Sequence, residues 1–334
     1  PEDDIGDKAC GNVVSTDDLD RVGIRHPKDI CRVLKGVKVF SPDRKTVFTI
    51  NLKHFVLDRR AFGQRLLGDA KHAGVEFSDR TKALAPMVEN GKVVGIKTDK
   101  GKMLSKLVVD ASGFQAVIRN KLLGAERVHG GDTGVCYLEI RELEEQIDPN
   151  YFLVYLKGVG NGYCWVTPER KNRANIGIGV QGASNHPSPK TLFYKHVFPW
   201  FNLENSKLIK AKGGIVPTRG PINPLYSNGV MFVGDAGCQT NPVNAGGIGP
   251  SLAAGRIAGR VVAEVVEEGT DPGEYHRRYM DTHGKQQVAL DAFRRFLLEV
   301  TDDDLNYTMR ELLTEGEIER IVVGRAGAGL WKKV

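Results

Sequence analysis

The stretch that most constrains the fold is GVMFVGDAGCQTNPVNAGGIGPSLAAGRIAG, residues 229–259. The apolar run Val230 to Val233 reads as a buried strand, with Asp235 just past its carboxyl end. Gly246-Gly247-Ile248-Gly249-Pro250 then opens a long helix that closes at Gly269. Such a helix start lets backbone N–H groups approach a pyrophosphate or the pyrimidine edge of a flavin, while a carboxylate at the strand end accepts from ribityl hydroxyls. The plain alternative is that Asp235 caps a turn and the glycines permit tight packing, and on these residues alone the two readings stand even. Ala253, Ala254, Gly255, Ala258 and Gly259 are expected to let the helix lie close to a sheet.

At 334 residues the chain exceeds the usual single-core size, so two interlocked domains are expected. Lys+Arg at 47 against Asp+Glu at 41 leave a net charge of +6, spread without a basic block. That balance speaks weakly for an anionic substrate or a membrane surface, and against nucleic acid. The five cysteines (Cys10, Cys31, Cys136, Cys164, Cys238) are scattered and form no CxxC pair. Neither a disulfide framework nor a zinc site is indicated, and the histidines, His186 among them, have no metal-ligand spacing. No apolar run approaches the roughly 20 residues that span a bilayer, and PEDDIGDKACGN has no signal-peptide character. The expected location is the cytoplasm, with peripheral membrane contact.

Alternation predicts strands at Val37 to Phe40, Val47 to Leu52 and Phe55 to Leu57, then a helix from Arg60 to His72. A meander follows, Thr81 to Val88, Val93 to Thr98 and Met103 to Asp110, with Asn90-Gly91 a strong hairpin signal. A second group, Val135 to Ile140, Phe152 to Leu156, Tyr163 to Thr167, Asn175 to Val180 and Leu208 to Ile215, reads as a sheet interrupted by a helix from Lys190 to Val197. Beyond Asp271 the pattern is helical, with Tyr275 to Val300 amphipathic and Asp302 to Asp304 placed to cap the next helix. Tyr163 and Trp165 share a face of their strand, where core packing is the first reading from spacing alone.

Four ordered segments carry a family resemblance: Lys8-Ala9-Cys10-Gly11, Leu57-Asp58-Arg59-Arg60-Ala61-Phe62, Gly162-Tyr163-Cys164-Trp165-Val166-Thr167-Pro168, and residues 229–259. They resemble the KxCG loop, the DRxxF element, the YxWxFP motif and the C-terminal FAD motif of the geranylgeranyl reductase family, over Lys8 to about Arg295. The resemblance implies an α/β fold of the p-hydroxybenzoate-hydroxylase type, with a Rossmann-like FAD-binding domain, an antiparallel substrate-binding sheet and a C-terminal helical region. The domains are expected at 1–130 (FAD-binding), 131–218 (substrate sheet), 219–270 (returning FAD-binding strand and helix) and 271–334 (helical). Thr167 stands where the motif has an aromatic, which predicts a smaller and more polar pocket wall. The family's GxGxxG unit is absent, and the expectation is that it lies upstream of Pro1.

By the same resemblance Cys10, Gly11, Val13, Arg59, Ala83, Asp235, Gly247 and Ile248 are FAD contacts, and Tyr163 and Trp165 line a prenyl-lipid pocket. Cys10 is the candidate proton donor, with Lys8 placed to lower its pKa. VVDASG, Val108 to Gly113, resembles a strand-end motif near the nucleotide, with the role of Asp110 open. The implied activity is saturation of geranylgeranyl double bonds, on archaeal-type ether phospholipids, with NAD(P)H or a ferredoxin-like protein as electron donor. The alternatives are an FAD-dependent monooxygenase or halogenase of the same fold and, from another class, a non-catalytic prenyl-lipid-binding relic.

Overall fold

Gly162–Pro168 and Arg173–Gln181, buried along most of their length, form the centre of the larger sheet in a computed structural model that describes residues 1–124, 128–145, 147–182 and 187–322. The chain forms two units: 4–69, 133–215 and Arg295 onward in one, and 1–3, 70–132 and 216–294 in the other. His186 and positions 323–334 lie outside the described residues.

The first unit is built on a seven-stranded sheet in the order Lys207–Pro217, Thr133–Glu142, Arg173–Gln181, Gly162–Pro168, Tyr151–Leu156, Gly36–Phe40, Val47–Ile50. Gly36–Phe40 pairs in parallel with Tyr151–Leu156, register Val37 to Phe152. This pairing draws residues 4–69 in with 133–215, so the compact units do not follow the expected 1–130 and 131–218 boundaries. The strands from Thr133 to Gln181 pair antiparallel as expected, and Gly36–Phe40 adds one parallel pairing to them. One face carries Cys164, Val166, Ile176, Ile178 and Val180, packed on Leu192, Phe193, Val197 and Leu203. On the opposite face Val37, Val39, Phe48 and Ile50 pack on Leu305, Met309 and Ile318 from the C-terminal segment. That segment thus completes a core. Its first helix, Asp302–Tyr307, is capped by Thr301 in a capping box with Asp304, one position before the expected aspartates.

In the second unit Val230–Phe232 pairs in parallel with Val108–Asp110 and antiparallel with Tyr226–Ser227. The predicted Met103 to Asp110 strand is two elements: Gly101–Leu104 ends the meander, and Val108–Asp110 joins the parallel pair. The Asn90-Gly91 turn has φ of 49° and 76°, the two positive values a tight hairpin needs. Ile248–Glu268 ends on Gly269 at φ 73°, as its sequence predicts. Ala254 and Ala258 are buried in the core with Val230, Met231, Phe232, Tyr275 and Tyr279. Gly255 and Gly259 are exposed, and a Cβ at either would meet nothing within 4 Å. Close approach on this helix is therefore made by the alanines, against the expectation for all five small residues. Among the described residues no helix is long and apolar enough to cross a membrane.

Candidate functional site

Asp58 starts the local geometry of the first unit. Its Oδ1 accepts from Ala61 N–H (3.1 Å), capping Arg59–His72, and Phe62 anchors the first turn in the core. Arg59 is thereby fixed with Nη1 4.0 Å from Cys10 Sγ. The cation beside this sulfur is Arg59, whereas Lys8, expected in that place, is exposed. Val13 lies on the short strand Val13–Ser15, opposite Val56.

The Cys10–Asn12 loop lies along the sheet face that carries Trp165, Thr167 and Asn175, and successive residues of it are tied there. Asn175 Nδ2 donates to Cys10 O (2.8 Å), Thr167 Oγ1 donates to Gly11 O (2.8 Å), and Asn12 Nδ2 donates to Glu169 Oε1 (3.3 Å). Asn12 sits at φ 64°, and its N–H donates to Cys10 Sγ (3.3 Å). Burial pushes the Glu169 carboxyl pKa up, against the pull of Arg173 and Asn12. Thr167 is fully buried, so it serves the loop, whereas a polar pocket wall was expected.

Trp165 is 5% exposed. Its indole lies over Gly177, its cross-strand partner, and Nε1 donates to Asn175 Oδ1 (3.1 Å). Tyr163 is the next residue on this face, its ring 5.9 Å from that of Trp165, and burial raises its pKa, which keeps the phenol neutral. Cys136 joins this group. Its thiol is pushed up to about 11, first by burial and also by nearness to Cys10. Sequence reading missed Asn175, Glu169 and Cys136, because each depends on cross-strand register or on the loop that crosses the face.

In the second unit the Asp235 loop is held from several sides. Gly234, at φ 65°, turns the chain, and its N–H donates to Gln239 Oε1 (2.6 Å). Gln239 is fully buried and donates to Tyr275 OH (2.9 Å), which donates to Phe232 O (2.9 Å), while Gln287 Nε2 donates to Gln239 O (2.6 Å). The buried Arg119 guanidinium donates to Ala236 O (2.6 Å). Asp235 Oδ1 accepts from Thr240 Oγ1 (2.8 Å) and lies 3.6 Å from where a Gly247 Cβ would be, so carboxylate and helix start are adjacent. No side chain caps Ile248–Glu268 at Gly247, which leaves first-turn N–H groups as donors. Ala83 lies in the same unit on Ala83–Glu89, paired with Thr98. Asp110 is structural. Its carboxylate accepts from Ile118 N–H, Arg119 N–H, Ser112 N–H and the Ser112 hydroxyl, fixing the start of Val117–Leu122.

Two further observations bear on a bound group. Among the described residues, Asn12 Oδ1 and Arg59 Nε are buried without a hydrogen-bond partner, which is costly unless something else meets them. Glycine at 11 is required neither by φ nor by the protein, since a Cβ would sit 3.4 Å from Trp165 Nε1, an ordinary contact. The residues present therefore fit a cofactor that approaches the backbone closely. Among the described residues no cluster of His, Cys, Asp and Glu fits a metal ion.

The geranylgeranyl reductase catalytic domain matches residues 132–216. A digeranylgeranylglycerophospholipid reductase of Sulfolobus acidocaldarius is 33% identical over 337 residues, covering 95% of this chain and 75% of the relative. Another, of Methanothrix thermoacetophila, is 30% identical over 93% of this chain and 83% of its own length. A geranylgeranyl bacteriochlorophyll reductase-like protein of Thermoplasma acidophilum has a similar structure, with a TM-score of 0.87 at 24% identity, covering 99% of this chain and 90% of that one. A flavin-dependent brominase follows with a TM-score of 0.72 at 20% identity, covering 95% and 84%. At such identities both structures speak for the fold alone.

Proposed function

Because this chain belongs to the geranylgeranyl reductase family, we propose that it is an FAD-dependent reductase that saturates geranylgeranyl double bonds of an ether glycerophospholipid. The observation that carries the reading is the Cys10–Gly11 loop, tied to the face that bears Tyr163 and Trp165. FAD contacts are Cys10, Gly11, Val13, Arg59, Ala83, Asp235, Gly247 and Ile248. Asp235 and the Ile248–Glu268 N-terminus supply an acceptor and donors for the cofactor's polar groups.

Reduced FAD, when bound, supplies the hydride. The chain's own residues orient the alkene, exclude water and deliver the proton. An isolated alkene accepts hydride poorly, so a proton must reach one alkene carbon as hydride reaches the other. Cys10 Sγ, flanked by Arg59 and Asn12 N–H, is the group that holds this proton and recovers it from solvent. Tyr163 lies along the prenyl chain, where a neutral aromatic face favours developing positive charge. The lipid substrate brings the enzyme to a membrane surface.

The test is product analysis with the FAD-loaded protein, a chemical reductant and digeranylgeranylglyceryl phospholipid. Gain of two hydrogens per double bond without oxygen consumption is the expected result. Oxygen-dependent hydroxylation, halide incorporation, or lipid binding without turnover would overturn it. Cys10→Ala is expected to keep FAD and lose about 100-fold or more in rate, the usual scale for a proton-transfer group. Unchanged reduction would reassign the proton donor.

A further inference from the structure

Thr167 and Asn175 lie directly opposite each other on neighbouring strands, on one face, and bond to consecutive carbonyls of the chain that crosses them. Both are almost fully buried, at 0% and 1% exposed. Buried side chains with hydrogen bonds this short hold an orientation; they do not merely fill space. The orientation has a consequence at the next atom along. In a planar trans peptide the N–H points opposite to the preceding C=O. With Cys10 O drawn onto the sheet by Asn175, the Gly11 N–H is turned off the sheet, and among the described residues it donates to no protein group.

We propose that Thr167 and Asn175 are positioning residues that present the Gly11 N–H as a hydrogen-bond donor to the flavin, with Trp165 setting the amide that does so. This rests on the reading of Cys10 and Gly11 as flavin contacts. Trp165 Nε1–H donates to Asn175 Oδ1, so the amide can offer only its NH2 end to Cys10 O. Indole, amide and peptide form one chain of dipoles in a buried setting, each strengthening the next. Trp165 thereby acts on the loop through hydrogen bonding, apart from any contact with lipid. Thr167 completes the grip through a hydroxyl that an aromatic at this position lacks, which gives the departure from the family motif a role.

The experiment compares Thr167→Val, which keeps shape and loses the hydroxyl, with Thr167→Ser, which keeps the hydroxyl, and has two readouts. In the protein freed of FAD, alkylation of Cys10 by iodoacetamide, followed by peptide mass spectrometry, is expected to be several-fold faster in T167V and at the wild-type rate in T167S. In the loaded protein, FAD affinity is expected to fall about tenfold in T167V, the value of one hydrogen bond of about 1.4 kcal/mol, and to recover in T167S. Wild-type values for T167V in both measurements would overturn the proposal, as would equal losses in T167V and T167S. If T167V does not fold, Asn175→Asp carries the test. Once ionised, its carboxylate cannot donate to Cys10 O, so alkylation must be fast at high pH and slow again in acid, where the protonated carboxyl donates. An alkylation rate that follows the wild-type pH profile would refute the clamp. The alkylation arm needs no cofactor, so wild-type protein that takes up no FAD would defeat the functional reading and leave the clamp separately tested.

Discussion

Gly177→Ala puts the packing of Trp165 to a direct test. A Cβ at 177 would lie 2.2 Å from Trp165 Cζ2, 2.5 Å from Cε2 and 2.6 Å from Cη2, all atoms of one rigid ring. If the ring stays, the overlap strains the sheet by about 1–3 kcal/mol, the usual range for overpacking. If the ring moves, its bond to Asn175 Oδ1 is lost and that oxygen is left buried, at a cost of about 1–3 kcal/mol. By either route the loss is roughly 1–3 kcal/mol, or a fall of roughly 2–12 °C in thermal midpoint at about 2–4 °C per kcal/mol. Gly179→Ala is the control, since it lies on the same strand and face and faces the same ring. Its Cβ would meet Trp165 Cζ3 at 3.7 Å, an ordinary contact, so the midpoint is expected to stay within about 2 °C of wild type, on the scale of the half kcal/mol typical of benign substitutions. Differential scanning calorimetry of the two variants beside wild type decides the matter. Equal midpoints for G177A and G179A would refute the placement of the indole and the positioning role built on it.

Asp110→Ala removes the acceptor for Ile118 N–H and Arg119 N–H and is expected to cost about 2–3 kcal/mol, read as a lower urea midpoint. No change would mean that those N–H groups reach water. Lys210 and Lys212 hold the Asp7 carboxyl below the usual carboxylate range through hydrogen bonds. A lowered folded pKa gives stability that is present above the unfolded value near 4 and is lost as pH falls through the folded value. Asp7→Asn is therefore expected to be less stable than wild type at neutral pH, by under about 1 kcal/mol for so exposed a pair, and to match it in strong acid. A difference that grows on acidification would show the wrong sign.

Much of the fold is legible in local pattern. The alternating runs at Tyr163 to Thr167 and Asn175 to Val180, the Asn90-Gly91 hairpin and the Gly269 helix stop all follow from short-range sterics and burial, which neighbours in sequence specify. The nearness of Asp235 to Gly247 is likewise local, because one loop brings them together, whereas the cation beside Cys10 comes from Arg59 and not from its neighbour Lys8.

What no local pattern holds is which strands become neighbours. The parallel pairing of Gly36–Phe40 with Tyr151–Leu156 depends on surfaces more than 100 residues apart, and it redraws the division of the chain. Met103 to Asp110 reads as one run by itself and divides because its ends find different partners. Thr167 read as a smaller and more polar pocket wall, and Trp165, by the family resemblance, as lining the lipid pocket. Register sets Thr167 beside Asn175, and the loop crossing them turns all three into its anchors. A side chain's type is written in the sequence, whereas a hydrogen bond between residues 10 and 175 exists only once two distant segments have packed.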